Sequence, residues 1–195
     1  MKFQKSFCVV DSSLRLLWIG GDWDEFARAN GGDGAVANEV LSTPLPMHIT
    51  DRRTAEKVAQ MVHVVLDLQK PLRFEYRCDS PNEIRRFRLT IQPMKDQRAI
   101  MVHDLQDAVQ IEPPMVAWAF DPTATNQKCS MCGSLHRDGR WIDPIEPGVE
   151  HPSAVRYVLC SPCDARADAA IDATRTGRSP ADMVEISLKS GLKPD

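Results

Sequence analysis

Leu72-Arg-Phe-Glu-Tyr-Arg-Cys78, then Ser80-Pro-Asn82, then Ile84-Arg-Arg-Phe-Arg-Leu-Thr-Ile-Gln-Pro93 alternates apolar and charged side chains. Leu72, Phe74, Tyr76 and Cys78 share one face, and Arg73, Glu75 and Arg77 share the other. Phe87, Leu89 and Ile91 oppose Arg86, Arg88 and Thr90 in the same way. A period of two this regular predicts antiparallel strands with one wet face, joined by a turn at Ser80-Pro-Asn82. Ala99–Val102 supplies a third strand.

Upstream, Phe7-Cys-Val-Val-Asp11 and Leu14-Arg-Leu-Leu-Trp18-Ile19 flank a turn at Asp11-Ser12-Ser13, which is a hairpin signal. Asp22 is placed to cap a short helix, and Gly31, Gly32 and Gly34 mark a loop. Pro44 and Pro46 mark a further bend. Thr50 or Asp51 caps the longest helical pattern, residues 52–68, in which Ala55, Val58, Ala59, Val62, Val65 and Leu66 form one apolar stripe. Pro71 ends it. The fold class expected is α+β: five antiparallel strands with helices on one face, over residues 1–110.

This order resembles a PAS domain, a bacterial sensor fold. Phe7-Cys-Val-Val-Asp-Ser-Ser-Leu-Arg-Leu-Leu-Trp18 is similar to the opening PAS hairpin. Val40-Leu-Ser-Thr-Pro-Leu-Pro-Met-His-Ile-Thr-Asp51 is similar to the segment that enters the last PAS helix.

The last third of the chain carries two knuckles, Cys129-Ser-Met-Cys132 and Cys160-Ser-Pro-Cys163, separated by 27 residues. Two residues between cysteines let one tight turn aim both sulfurs at a single tetrahedral ion. Cys129, Cys132, Cys160 and Cys163 are therefore the expected metal ligands, with zinc as the ion and a structural role, since four thiolates leave no open position. Rubredoxin-like iron is the rival. Cys160-Ser-Pro-Cys163-Asp lacks the C-P-x-C-G pattern of such sites, which argues against iron. Backbone N–H groups of Ser130–Gly133 and Ser161–Asp164 are the expected donors to sulfur.

Lys128-Cys-Ser-Met-Cys132, Arg137-Asp-Gly-Arg-Trp141, Glu146 and Tyr157-Val-Leu-Cys-Ser-Pro-Cys163 resemble a cysteine module of bacterial sensory proteins, one that often follows a PAS domain. Gly133-Ser134-Leu135-His136 replaces a more basic stretch usual after the first knuckle. The resemblance implies signalling and carries over no catalytic residue.

Residues 111–195 then hold the linker at Glu112-Pro113-Pro114, a four-cysteine zinc-ribbon-like module and a helical tail. Met115–Phe120 is apolar enough to dock as a strand. A helix rich in Ala165, Ala169, Ala170 and Ala173 stops near Gly177, and a second helix begins at Ser179-Pro180.

Charge bears on partners. Residues 1–110 hold 15 Lys/Arg and 15 Asp/Glu, whereas residues 111–195 hold 9 and 12. An acidic metal module speaks against a nucleic-acid-binding zinc ribbon, because such proteins displace counterions with clustered positive charge. No apolar stretch spans a bilayer, and no export signal follows Met1, so a cytoplasmic protein with reduced Cys8 and Cys78 is expected.

His63 on the long helix is a weak haem candidate, and His48 and His103 have the same status. His136 reads as a neighbour of the metal shell, and Cys78 as a packed thiol. Arg73, Arg77, Arg85, Arg86 and Arg88 form a basic patch suited to protein contact or self-association through the sheet. No P-loop, nucleophile elbow or kinase signature occurs, so no enzyme is expected. The function expected is a regulatory protein acting by signal-dependent protein–protein interaction, with an unknown PAS ligand. The alternatives are a nucleic-acid-binding transcriptional regulator and an iron electron carrier.

Overall fold

The computed structural model describes residues 4–115 and 117–178. The helix expected from Ser179 onward lies outside the described residues. The first half runs β1 (Lys5–Asp11), β2 (Leu16–Gly21), α1 (Trp23–Ala29), α2 (Ala37–Val40), α3 (Arg52–Leu68), β3 (Leu72–Arg77), β4 (Glu83–Met94) and β5 (Arg98–Gln110). These strands form one five-stranded antiparallel sheet in the order β2-β1-β5-β4-β3. The fold is thus the expected α+β arrangement. Strand β5 is longer than its apolar run, because β4 pairs with it from Met94 opposite Arg98 to Glu83 opposite Gln110. His103 accordingly lies within β5 and not after it.

Alternation sets the two sheet faces. Cys8, Val10, Leu72, Phe74, Leu89, Ile91, Ala99 and Met101 face the helices and join Met61, Val62 and Val65 of α3 in the main core. On the outer face Val9, Ile100 and Val102 are covered by Phe7, Trp18 and Met94. Gly20 is required there, since a Cβ would come within 2.5 Å of the Phe7 ring.

Helix α3 starts where Asp51 accepts from the Thr54 N–H at 2.8 Å, so Asp51 and not Thr50 is the cap. It ends at Gln69 in the left-handed region, φ 52°. Asp22 does precede α1, but its carboxylate accepts from the N–H groups of Gln4 and Lys5 instead of capping the helix.

The second half contains β6 (Ala119–Phe120), β7 (Gln127–Cys129), β8 (Leu135–Arg137), β9 (Arg140–Ile142), β10 (Ala154–Val158) and α4 (Ser161–Arg175). Their order is β6-β10-β7-β8-β9, with β10 parallel to both β6 and β7. Asp138 and Gly139, at φ 48° and 76°, turn β8 into β9 as a two-residue loop with both residues left-handed. The linker lies against the β3–β4 turn: the Ile111 N–H donates to Asn82 O and the Met115 N–H to Pro81 O.

Helix α4 packs on α3 and β3. Cys129, Met131, Cys160, Cys163, Ala167 and Ile171 consequently belong to the same buried cluster as Met61 and Phe74.

Candidate metal centre and adjoining cavity

The first knuckle leaves β7 and turns back through Gly133. That residue has φ +78°, and a Cβ on it would sit 3.0 Å from Asp79 Oδ2, so glycine is needed for conformation and for space. The second knuckle opens α4: Cys160 is the N-cap residue and Cys163 lies in the first turn. Helix N-termini favour thiolate there through the free N–H groups and the helix dipole.

These two turns bring together Cys129, Cys132, Cys160 and Cys163, whose sulfurs all lie within 4.8 Å of one another. All are free thiols. Cys132 Sγ and Cys160 Sγ are 3.8 Å apart. Four sulfurs at ~2.3 Å from a tetrahedral ion are separated by about 3.8 Å, the spacing of the Cys132–Cys160 pair, so the cluster could hold a metal ion.

Thiols this crowded compete for charge. Hydrogen bonds from Cys129 and Cys163 hold the Cys132 thiol far below its ordinary range. Donation to Cys129 and Cys132 drives Cys163 far above it, while burial pushes Cys160 up to about 12. Only a bound cation lets all four ionise together. The Met131 N–H points at Cys129 Sγ at 3.4 Å, as expected of that turn. A second donor, the Cys160 N–H at 3.5 Å, comes from across the site.

His136 is not in the cluster; its ring packs 5.0 Å from that of Trp141.

Next to this centre is a cavity of about 530 Å³ between the sheet, α3 and the first knuckle. Leu16, Val40, Met61, Phe74, Leu89 and Met101 are among its apolar lining residues, and Lys128 to Met131 close one side. Tyr76 and His103 also line it, with the Tyr76 hydroxyl 2.8 Å from His103 Nδ1. Both lie deep in the protein and are half-buried by accessible surface. Burial lowers His103 to about 4, so its ring is neutral near pH 7. Cys78 lines the same space, its thiol raised by burial, and Cys8 is pushed up to about 12 by the same cause.

His63 is exposed on α3, 3.3 Å from Ser12 O, and does not line the cavity. It is not placed to ligate a group held there. His48 does line the cavity, near its Thr50 and Asp51 rim.

The basic patch is not one surface. Arg85 is buried at 2% exposure, donates to Cys78 O at 2.7 Å and Asn30 Oδ1 at 2.6 Å, and lies over the Phe26 ring. Arg77 is held by Asp79 and by Asp143 of the second half. These pairings offset the like-charge approach of Arg77 and Arg86, which are directly opposed across β3 and β4. Arg85 therefore does not belong to the basic contact patch expected from its charge.

Connections from both knuckles reach the first half. The Arg77 N–H donates to Met131 O at 2.7 Å. Ser130 Oγ lies 3.0 Å from Thr54 Oγ1 and donates to Val158 O. Lys57 and Arg53 of α3 pair with Asp164, the residue after Cys163.

Neither a protein-family model nor a curated protein sequence matches this chain. Among solved structures, a domain of an HTR-like protein from Haloarcula marismortui ATCC 43049 aligns with 53% of this chain and 98% of that one. Identity is 12% and the TM-score 0.40, a likeness too slight to carry over any property. Among the described residues, no helix is long and apolar enough to cross a membrane.

Proposed function

We propose that this chain is a sensory or regulatory protein in which a PAS-like unit, residues 1–110, and a zinc-stapled module in residues 111–195 relay a signal to a protein partner. The observation that carries the reading is the double membership of the first knuckle. Ser130 and Met131 sit between two of the four cysteines, line the cavity, and contact α3 and β3. A change inside the cavity therefore acts on backbone that also positions two thiolates. Two packings of the knuckle against the sheet would give the population shift that such a relay requires.

Further support is chemical. The order of two strands, helices and three strands is the one the PAS resemblance implies. Four thiolates suit zinc far better than hard cations. Their closed shell makes the ion a staple, whose binding free energy goes into folding. With no catalytic constellation assigned, the signal leaves by protein contact, and the outer sheet face bearing Phe7 and Trp18 is the surface assigned to a partner or a second copy.

Metal analysis with an absorption spectrum, followed by hydrogen exchange before and after chelation, tests this. One zinc per colourless chain is expected, and its removal should speed exchange in β3 and the first turns of α3 as well as in the knuckles. Visible thiolate-to-iron bands, or exchange confined to residues 126–166, would overturn the reading.

A further inference from the structure

The cavity of about 530 Å³ is within the size of small-molecule sites, roughly 300–1,000 Å³. Its wall is mainly apolar, with polar groups at the His48–Thr54 side, at the Tyr76–His103 pair, and at the end where Lys128 precedes Cys129. Lys128 is 6% exposed and lines the cavity with Arg77, Cys78 and Asp79. Its ammonium lies 4.3 Å from the Trp118 ring centre and 5.8 Å from that of Tyr157. Among the described residues it has no hydrogen-bond or ion-pair partner. Asp79, the acid on that wall, is committed to the Arg77 guanidinium and the Arg85 N–H. Aromatic faces offset only part of the cost of a desolvated ammonium.

We propose that the cavity binds a small monocarboxylate with an apolar body, its carboxylate at Lys128 and its body against Met61, Phe74, Leu89 and Met101. The polar groups on the Lys128 side of the cavity limit the ligand to one negative charge. Arg77 is already occupied by Asp79 and Asp143. The Tyr76–His103 pair adds no positive charge and would accept or donate one neutral hydrogen bond. A phosphate dianion would leave a charge unpaired in an apolar wall.

This inference rests on the cavity being the input site of the proposed relay. Its test is calorimetric titration of the zinc-loaded full chain with phenylbutyrate and with its neutral isostere, phenylbutyramide. The acid should bind about tenfold tighter or more, the scale of one charge-assisted hydrogen-bonding contact. Lys128→Met should abolish that preference while zinc stoichiometry is kept, and Leu89→Phe should weaken both probes by narrowing the space.

Equal affinity for the two probes in the unaltered chain would overturn the proposal, as would absence of binding at millimolar concentration. So would an acid preference that survives in Lys128→Met, with Lys128 then serving only to offset thiolate charge. If Lys128→Met does not fold, the acid-against-amide comparison in the unaltered chain decides alone. A chain that carries zinc but binds neither probe loses this inference and keeps the proposed relay. A chain that binds the acid but holds no zinc loses the relay.

Discussion

Lys57 Nζ on α3 lies 2.9 Å from Asp164 Oδ1 on α4, and 2.6 Å from Asp168 Oδ1 one turn further on. The Lys57 side chain is 3% exposed, so this is an ion pair closed off from solvent on the lysine side. Because Asp164 follows Cys163 directly, the pair fastens the second knuckle to the sheet-bearing half. Arg53 reaches the same carboxylate at 2.9 Å, but from an exposed position that adds little.

Lys57→Met should therefore destabilise the protein by on the order of 2 kcal/mol, since it leaves two carboxylates facing a buried methyl group. Arg53→Met should cost under about 1 kcal/mol. Urea unfolding of the two variants checks the ranking, and equal losses would contradict it.

Cys132→Ser or Cys160→Ser should lower the thermal midpoint far more than Cys78→Ser. The first two break a shared four-sulfur cluster, whereas Cys78 is one cavity-lining thiol outside it. Thermal scans of the three variants with zinc present make the comparison, and equal shifts would count against the staple.

Gly133→Ala should cost about 1–2 kcal/mol, because its φ of +78° disfavours a Cβ and Asp79 Oδ2 stands 3.0 Å away. Gly139→Ala has the same strain, at φ +76°, but nothing within 4 Å. It should cost less, and denaturant midpoints of the pair separate the contact from the conformation.

His103 gives a pH dependence whose sign is fixed. Its folded value of about 4 is below the ordinary 6.5, so the unfolded chain binds the proton first. Stability from this group is complete above about pH 6.5, falls as pH drops toward 4, and is lost below that, a span on the order of 3 kcal/mol. His103→Gln should flatten that part of the stability profile relative to the unaltered chain. Identical profiles for both proteins would rule the burial effect out.

Chain-local periodicity made much of the fold legible. The alternation in Leu72–Cys78 and Ile84–Pro93 became β3 and β4, with Phe74 and Leu89 directly paired. The stripe on residues 52–68 became α3, but its buried side is broader than Ala55, Val62, Val65 and Leu66 suggest. Thr54, Lys57, Met61 and Val64 are buried as well, because the knuckle and α4 cover a second flank of the helix. A lysine in a helical pattern reads as solvated, and only a distant acid explains its burial. The same holds for Arg85, whose partners are Asn30 and Cys78 O.

By itself the sequence determined the strand faces, the long helix with its start at Thr50 or Asp51, and the four sulfurs that could share an ion. Each of these depends on spacings of a few residues, which local backbone geometry converts directly into shape. Only the tertiary structure decided that the first knuckle closes a cavity, that Lys128 lines it with no ion-pair partner among the described residues, and that Lys57 meets Asp168 across 111 positions of chain. Those relationships depend on the path of the whole chain, and no local period encodes it.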